Sequence, residues 1–234
     1  MVSPIEEGSL SAALQAVHGE LKKVDSNLPT GSLFRLIMDM SGLFDLPFDP
    51  DNKLSYVERR ANATVMVLAG VLPAKWAMSL ATWHLLDNGG ALLQVLRNDP
   101  AITDRAAAEE LLRFDTSTPM SLRYATEDHV LGGVAIKKKD RVMVAWASAN
   151  RDTTRFGASA GSIDFQRKLG AGWSFGSGNT FECLGKQLVL SMMSELVRAL
   201  RTAEPVPTLA SGFKPSWASG PMFRGVKQLP VRCA

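Results

Sequence analysis

The sequence predicts an α+β protein, mainly helical, and three observations carry that prediction. Stretches before residue 115 repeat apolar residues at helical spacing. Residues 121–150 change to short alternating runs separated by glycines and lysines, the pattern of strands. One further stretch with helical periodicity follows residue 182. Helices, then a small sheet, then a helix is the order of an α+β chain rather than of repeated βαβ units.

Residues 1–54 read as an N-terminal helical segment and loop. Leu10, Leu14, Val17 and Leu21 keep helical spacing, SNLPTG breaks it, LFRLIMDMSGLF forms a short helix after Ser32, and DLPFDPDN is a loop. Residues 55–234 read as one core. Its long helix runs from about Ser55 to Asp87 and contains Pro73, which removes one backbone donor and predicts a kink. Asn88-Gly89-Gly90 supplies the glycine stop, and ALLQVLRND forms a short helix.

After Pro100, Thr103 is the candidate N-cap of the helix DRAAAEELLRF, which stops before Thr116-Ser117-Thr118-Pro119. SLRYATEDHVLGGVAI and RVMVAWASAN read as strands. The turn between them holds the tightest basic run, Lys137, Lys138, Lys139 and Arg141, which a solvated hairpin explains. Residues 153–182 show no period and are rich in glycine and serine, so they read as loop. The last helix runs from about Cys183 to Arg201, with Leu184, Leu188, Met192, Leu196 and Leu200 every fourth residue. From Glu204, prolines and short apolar runs predict extended segments packed on the body.

Net charge is only +3, with no long basic stripe, so nucleic acid is not an expected partner. The two cysteines, Cys183 and Cys233, make no disulfide framework and read as reduced thiols of a cytoplasmic protein. The opening MVSPIEEGSL has neither basic start nor apolar stretch, and no run reaches the roughly 18 to 20 apolar residues of a membrane span.

Cys183 lies in FGSGNTFECLGKQ, among three glycines and ahead of a helix. The positive end of a helix dipole favours a thiolate there, and glycines let the backbone approach something large and flat. A haem-iron ligand, a nucleophile or a buried structural cysteine all satisfy this stretch taken alone. A nucleophile would want a histidine, and only His18, His84 and His129 are available.

Four separated motifs, taken in order, carry a resemblance to a known family. Glu110-Leu111-Leu112-Arg113 resembles the Glu-x-x-Arg helix of the cytochrome P450 family. Arg123-Tyr124-Ala125-Thr126-Glu127-Asp128 with Gly132-Gly133 resembles the strands that follow it, and Ala149-Asn150-Arg151-Asp152 the bacterial-type segment. Asp164-Phe165-Gln166-Arg167 holds the arginine that would complete an ion-pair triad with Glu110 and Arg113, ahead of the cysteine loop. The resemblance runs from about Met66 to Arg201, with LPVR near the end, and covers the family's C-terminal half. It implies a truncated P450-like fold with a long central helix, a small sheet and a cysteine-loop helix. It also implies haem b ligated by Cys183, with Phe175, Gly176, Gly178 and Gly185 shaping the loop and Arg123 meeting a haem propionate. Leu68, Ala69, Leu72 and Pro73 would line the distal side.

The chain departs from that pattern in three places. Four residues, Asn179 to Glu182, separate Gly178 from Cys183 where the family has three. Leu72 and Pro73 stand where an acid and a threonine normally deliver protons to bound dioxygen, so these two positions are the catalytic candidates for a different chemistry. The family's N-terminal half has no room, so a homo-oligomer or a partner subunit is expected over the distal side. Three functions follow from the resemblance. One is a haem-thiolate oxidoreductase that uses a peroxide, or rearranges its substrate, an apolar small molecule. The second is a monooxygenase fragment dependent on a partner. The third is a non-catalytic haem-binding or scaffold protein.

Overall fold

The computed structural model describes residues 55–168, 170–176, 182–218 and 222–233. The helices expected around Leu10–Leu21 and after Ser32 lie outside the described residues. Contacts divide the chain into two compact units, Met1–Val71 and Leu72–Ala234.

Helix α1 spans Tyr56–Leu86 and continues through Pro73. Its start is a capping box: the Glu58 N–H donates to Ser55 Oγ at 3.3 Å, and the Ser55 N–H donates to the Glu58 carboxylate at 2.7 Å. Its end is the expected reversal, with Asn88, Gly89 and Gly90 all at positive φ. Helix α2 (Ala91–Asn98) and helix α3 (Asp104–Phe114) follow. Thr103 caps α3 as predicted, its Oγ1 accepting the Ala106 N–H at 3.1 Å.

The strands pair as three two-stranded antiparallel sheets among the described residues. They are β1 (Ser121–Tyr124) with β4 (Arg141–Val144), β2 (His129–Leu131) with β3 (Val134–Ile136), and β5 (Thr208–Leu209) with β6 (Val231–Arg232). Gly132 and Gly133, both at positive φ, make the two-residue turn between β2 and β3. The predicted strand RVMVAWASAN is shorter than expected. Val144 pairs with Ser121, the first residue of β1, so the ladder has no partner beyond it. The chain turns instead into α4 (Trp146–Ala149), with the Asn150 N–H donating to the Trp146 carbonyl at 2.9 Å. The expected loop after Asp152 contains α5 (Thr153–Phe156) and a 3₁₀ turn, Ala158–Gly161, both too short to leave a period in the sequence.

Helix α6 spans Lys186–Thr202. The core is built by Leu85 of α1, Leu93 and Leu96 of α2, Leu111 of α3, and Leu190, Met193 and Val197 of α6. The every-fourth leucines are not its buried face. At 100° per residue a step of four turns about 40° past a full circle, so such a row winds around the helix. It leaves Leu184 and Leu188 exposed and reaches the core only at Leu196 and Leu200. The C-terminal segment is extended, as predicted. It lies against α1, where the Val226 N–H donates to Ser79 Oγ at 3.0 Å and Gly225 packs on Trp76.

Candidate functional site

The structure brings Glu110, Arg113 and Arg167 together. Glu110 and Arg113 lie one turn apart on α3 with side chains 2% and 0% exposed. Arg113 Nε and Nη2 each donate to the Glu110 carboxylate at 2.7 Å. Arg113 Nη1 donates to the Asn150 and Ala160 carbonyls at 2.6 and 2.9 Å, and Nη2 also to the Ser162 carbonyl at 2.9 Å. All five guanidinium N–H groups are thereby engaged, which is what a buried arginine requires.

Arg167 approaches the same carboxylate at 3.3 Å and donates to the Phe156 carbonyl at 2.6 Å and to Ser159. The Asp164 N–H supplies a further bond to Glu110 at 2.8 Å. One carboxylate thus gathers α3, α5, the 3₁₀ turn and the segment leading toward the cysteine.

That segment carries Phe175 and Gly176, the latter at φ 76°. Phe175 is half-buried and packs on the core, while its carbonyl accepts the Cys183 N–H at 2.8 Å. Cys183 is exposed, which removes the reading as a buried structural cysteine. It precedes α6 rather than opening it. Its carbonyl accepts the Lys186 N–H at 3.1 Å, and Gly185 occupies the N-cap. A Cβ at Gly185 would lie 3.7 Å from Cys183 Sγ. Gly178 lies outside the described residues.

Arg123 sits exposed on β1, its Nη1 donating to the Leu122 carbonyl at 2.8 Å. Leu72 and Pro73 are half-buried on α1, and Ala69 is exposed on the same helix. Leu68 is helical too. Lys137 pairs with Asp128 at the hairpin turn, as a solvated basic run does.

A second polar cluster gave no signal in the sequence. His84 Nε2 lies 3.0 Å from Asp115, whose other oxygen accepts Arg224 Nε at 2.7 Å. Burial works against the Asp115 charge, but the hydrogen bonds from His84 and Arg224 prevail and hold its carboxyl below the usual value. The Arg224 guanidinium stacks over Trp217 at 4.1 Å, and Trp217 meets Trp83 edge-on at 5.0 Å. The cluster joins α1, the end of α3 and the C-terminal segment. Its members lie more than a hundred residues apart in part, beyond the reach of any local pattern.

Comparison with known proteins agrees with this geometry. A family model described as cytochrome P450 matches residues 105–198. The chain is 32% identical over 196 residues to 6-deoxyerythronolide B hydroxylase of Saccharopolyspora erythraea, across 82% of this chain and 47% of that protein. It is 28% identical over 230 residues to vitamin D(3) 25-hydroxylase of Pseudonocardia autotrophica, across 94% of this chain and 54% of that protein. Among solved structures, the tirandamycin C-bound P450 monooxygenase TamI superposes with a TM-score of 0.72 at 29% identity, over 99% of this chain and 56% of that one. The chain therefore spans about half the length of the curated relatives it matches. The buried Glu110–Arg113–Arg167 cluster, the cysteine segment it leads to and these likenesses place the chain in the cytochrome P450 family.

Proposed function

We propose that the protein is a haem-thiolate oxidoreductase acting on an apolar small molecule, with Cys183 as the iron ligand. The observation that carries this reading is the exposed Cys183, hung from the Phe175 carbonyl at the end of a segment rooted in the buried cluster. The donor chemistry fits haem. Among the described residues no group of three or more His, Cys, Asp or Glu side chains forms a metal site. Iron in a porphyrin carries most of its ligands with it and asks of the chain only a donor such as the exposed Cys183 sulfur. When bound, that iron supplies a redox centre whose reactivity the cysteine thiolate tunes by donating electron density.

The chain's own residues have separate tasks in this reading. Glu110, Arg113 and Arg167 fix the backbone that carries Cys183, by charge-assisted bonds to carbonyls on three segments. Arg123 meets a propionate, and Gly176, Gly178 and Gly185 give the loop its approach. Leu72 and Pro73 face the substrate side and, bearing no acid or hydroxyl, exclude water without relaying protons. Neither can hold a proton at the pH of a cell, so an oxidant that already carries its oxygen–oxygen bond, a peroxide, suits the site, as does rearrangement. A second chain or partner subunit covers the distal side in this reading, because an apolar substrate face left open to water is rarely tolerated by a monomer.

The relatives favour a second reading. Two are named as hydroxylases and one as a monooxygenase, which points to dioxygen and reducing partners. Single-substrate assays of the haem-loaded protein separate the two. Turnover with hydrogen peroxide alone supports the first reading. Turnover only with reduced electron-transfer proteins and dioxygen supports the second.

A further inference from the structure

Asn150 belongs to the Ala149-Asn150-Arg151-Asp152 stretch, and it is fully buried at 0% exposure. Its backbone carbonyl accepts Arg113 Nη1 at 2.6 Å. Its side chain faces the other way. Oδ1 accepts the Trp173 N–H at 2.6 Å, and Nδ2 donates to Ser174 Oγ at 2.9 Å. Ser174 Oγ donates in turn to the Leu112 carbonyl at 2.7 Å. Directly after Ser174 comes Phe175, whose carbonyl accepts the Cys183 N–H at 2.8 Å.

We propose that Asn150 is the positioning residue of Cys183, tying the buried Glu110–Arg113 pair to the backbone from which the cysteine hangs. Its importance for catalysis rests on the reading of Cys183 as the iron ligand; the positioning itself does not.

Three features argue for a specific fit rather than generic packing. Every N–H of Arg113 is already used and a guanidinium carries no acceptor, so Arg113 itself can serve neither Trp173 nor Ser174, and Asn150 bridges the gap. A carboxamide offers an acceptor for Trp173 and a donor for Ser174 on one short planar group, whatever the pH. Gly172 is shaped around it. At φ 59°, a Cβ there would stand 2.4 Å from Asn150 Oδ1 and 3.2 Å from Arg113 Cγ.

Amide hydrogen exchange on the full chain without haem reads the positioning directly. In Asn150→Ala, exchange at Cys183 and at Trp173–Phe175 should rise about tenfold, while the interior amides of α3 keep their wild-type rates. Ser174→Ala, a milder change, should give the same pattern with smaller amplitude. Gly172→Ala should also loosen Cys183, and less so when added to Asn150→Ala, because the clash partner is then gone. These two variants carry the test if Asn150→Ala does not fold. Reconstituted with haemin, Asn150→Ala should lose part of the thiolate-type carbon monoxide band without losing haem content, a signature that general destabilisation does not produce. Unchanged exchange at Cys183, or a rise spread evenly over α3 and α6, overturns the proposal. Failure of the wild-type chain to take up haemin would overturn the ligand reading instead and leave the exchange result standing.

Discussion

Arg113 meets Glu110 through two parallel hydrogen bonds of 2.7 Å, with both side chains withdrawn from water. A surface pair at this helical spacing is worth only a few tenths of a kcal/mol. Burial changes the consequence of breaking it, because either partner alone is left as an uncompensated charge. Arg113→Met should therefore cost about 3–5 kcal/mol in urea unfolding. Arg113→Lys should recover little of that, since an ammonium cannot reproduce the fork and the three carbonyl bonds. Stability within about 1 kcal/mol of wild type in both variants would contradict a buried, fully bonded cluster.

Arg167 is the peripheral member. It reaches Glu110 at 3.3 Å but also ties the Phe156 and Ser159 carbonyls. Arg167→Ala should cost about 1–3 kcal/mol, less than loss of Arg113, and circular dichroism should show the helices retained.

The Asp115 cluster predicts an acid-sensitive element. The folded carboxyl lies below its usual value, so its contribution is fully present above the unfolded value of about 4 and is lost as pH falls through the lower folded value. Urea midpoints measured downward from about pH 5 should fall more steeply for wild type than for Asp115→Asn. Equal slopes would mean that Asp115 is not ionised in the fold. Arg224→Ala should weaken the same pH dependence, because it removes a donor to the carboxylate.

Gly225 tests how the C-terminal segment docks. A Cβ there would stand 2.3 Å from the Trp76 ring. Gly225→Ala should destabilise by about 1–3 kcal/mol and raise the susceptibility of the C-terminal segment to proteolysis. An unchanged melting curve would contradict close packing of this segment on α1.

Much of this was legible in the residues themselves. The Thr103 cap, the glycine reversal after α1 and the boundaries of α3 follow from local chemistry that acts within a few residues. The pairing of Glu110 with Arg113 follows from helical spacing, while the placing of Arg167 beside them rested on the family resemblance. The capping box at Ser55 and Glu58 has an equally local signature, a serine three residues ahead of a glutamate. The misses have physical causes. The strand after Val144 ends because its partner ends, and a sequence does not state where a partner stops. The row of leucines every fourth residue marks the helix but not its buried face, which is set by tertiary packing at Leu190, Met193 and Val197. The His84–Asp115–Arg224 cluster depends on tertiary contact alone.

In the proposed function Cys183 is a thiolate ligand for haem iron. The most direct measurement is the absorption spectrum of the full chain with added haemin, ferric and then reduced under carbon monoxide, beside Cys183→Ser. A thiolate-type carbon monoxide band in the wild type that is lost in Cys183→Ser is the predicted result. No haem uptake, or identical spectra from the two proteins, would contradict it.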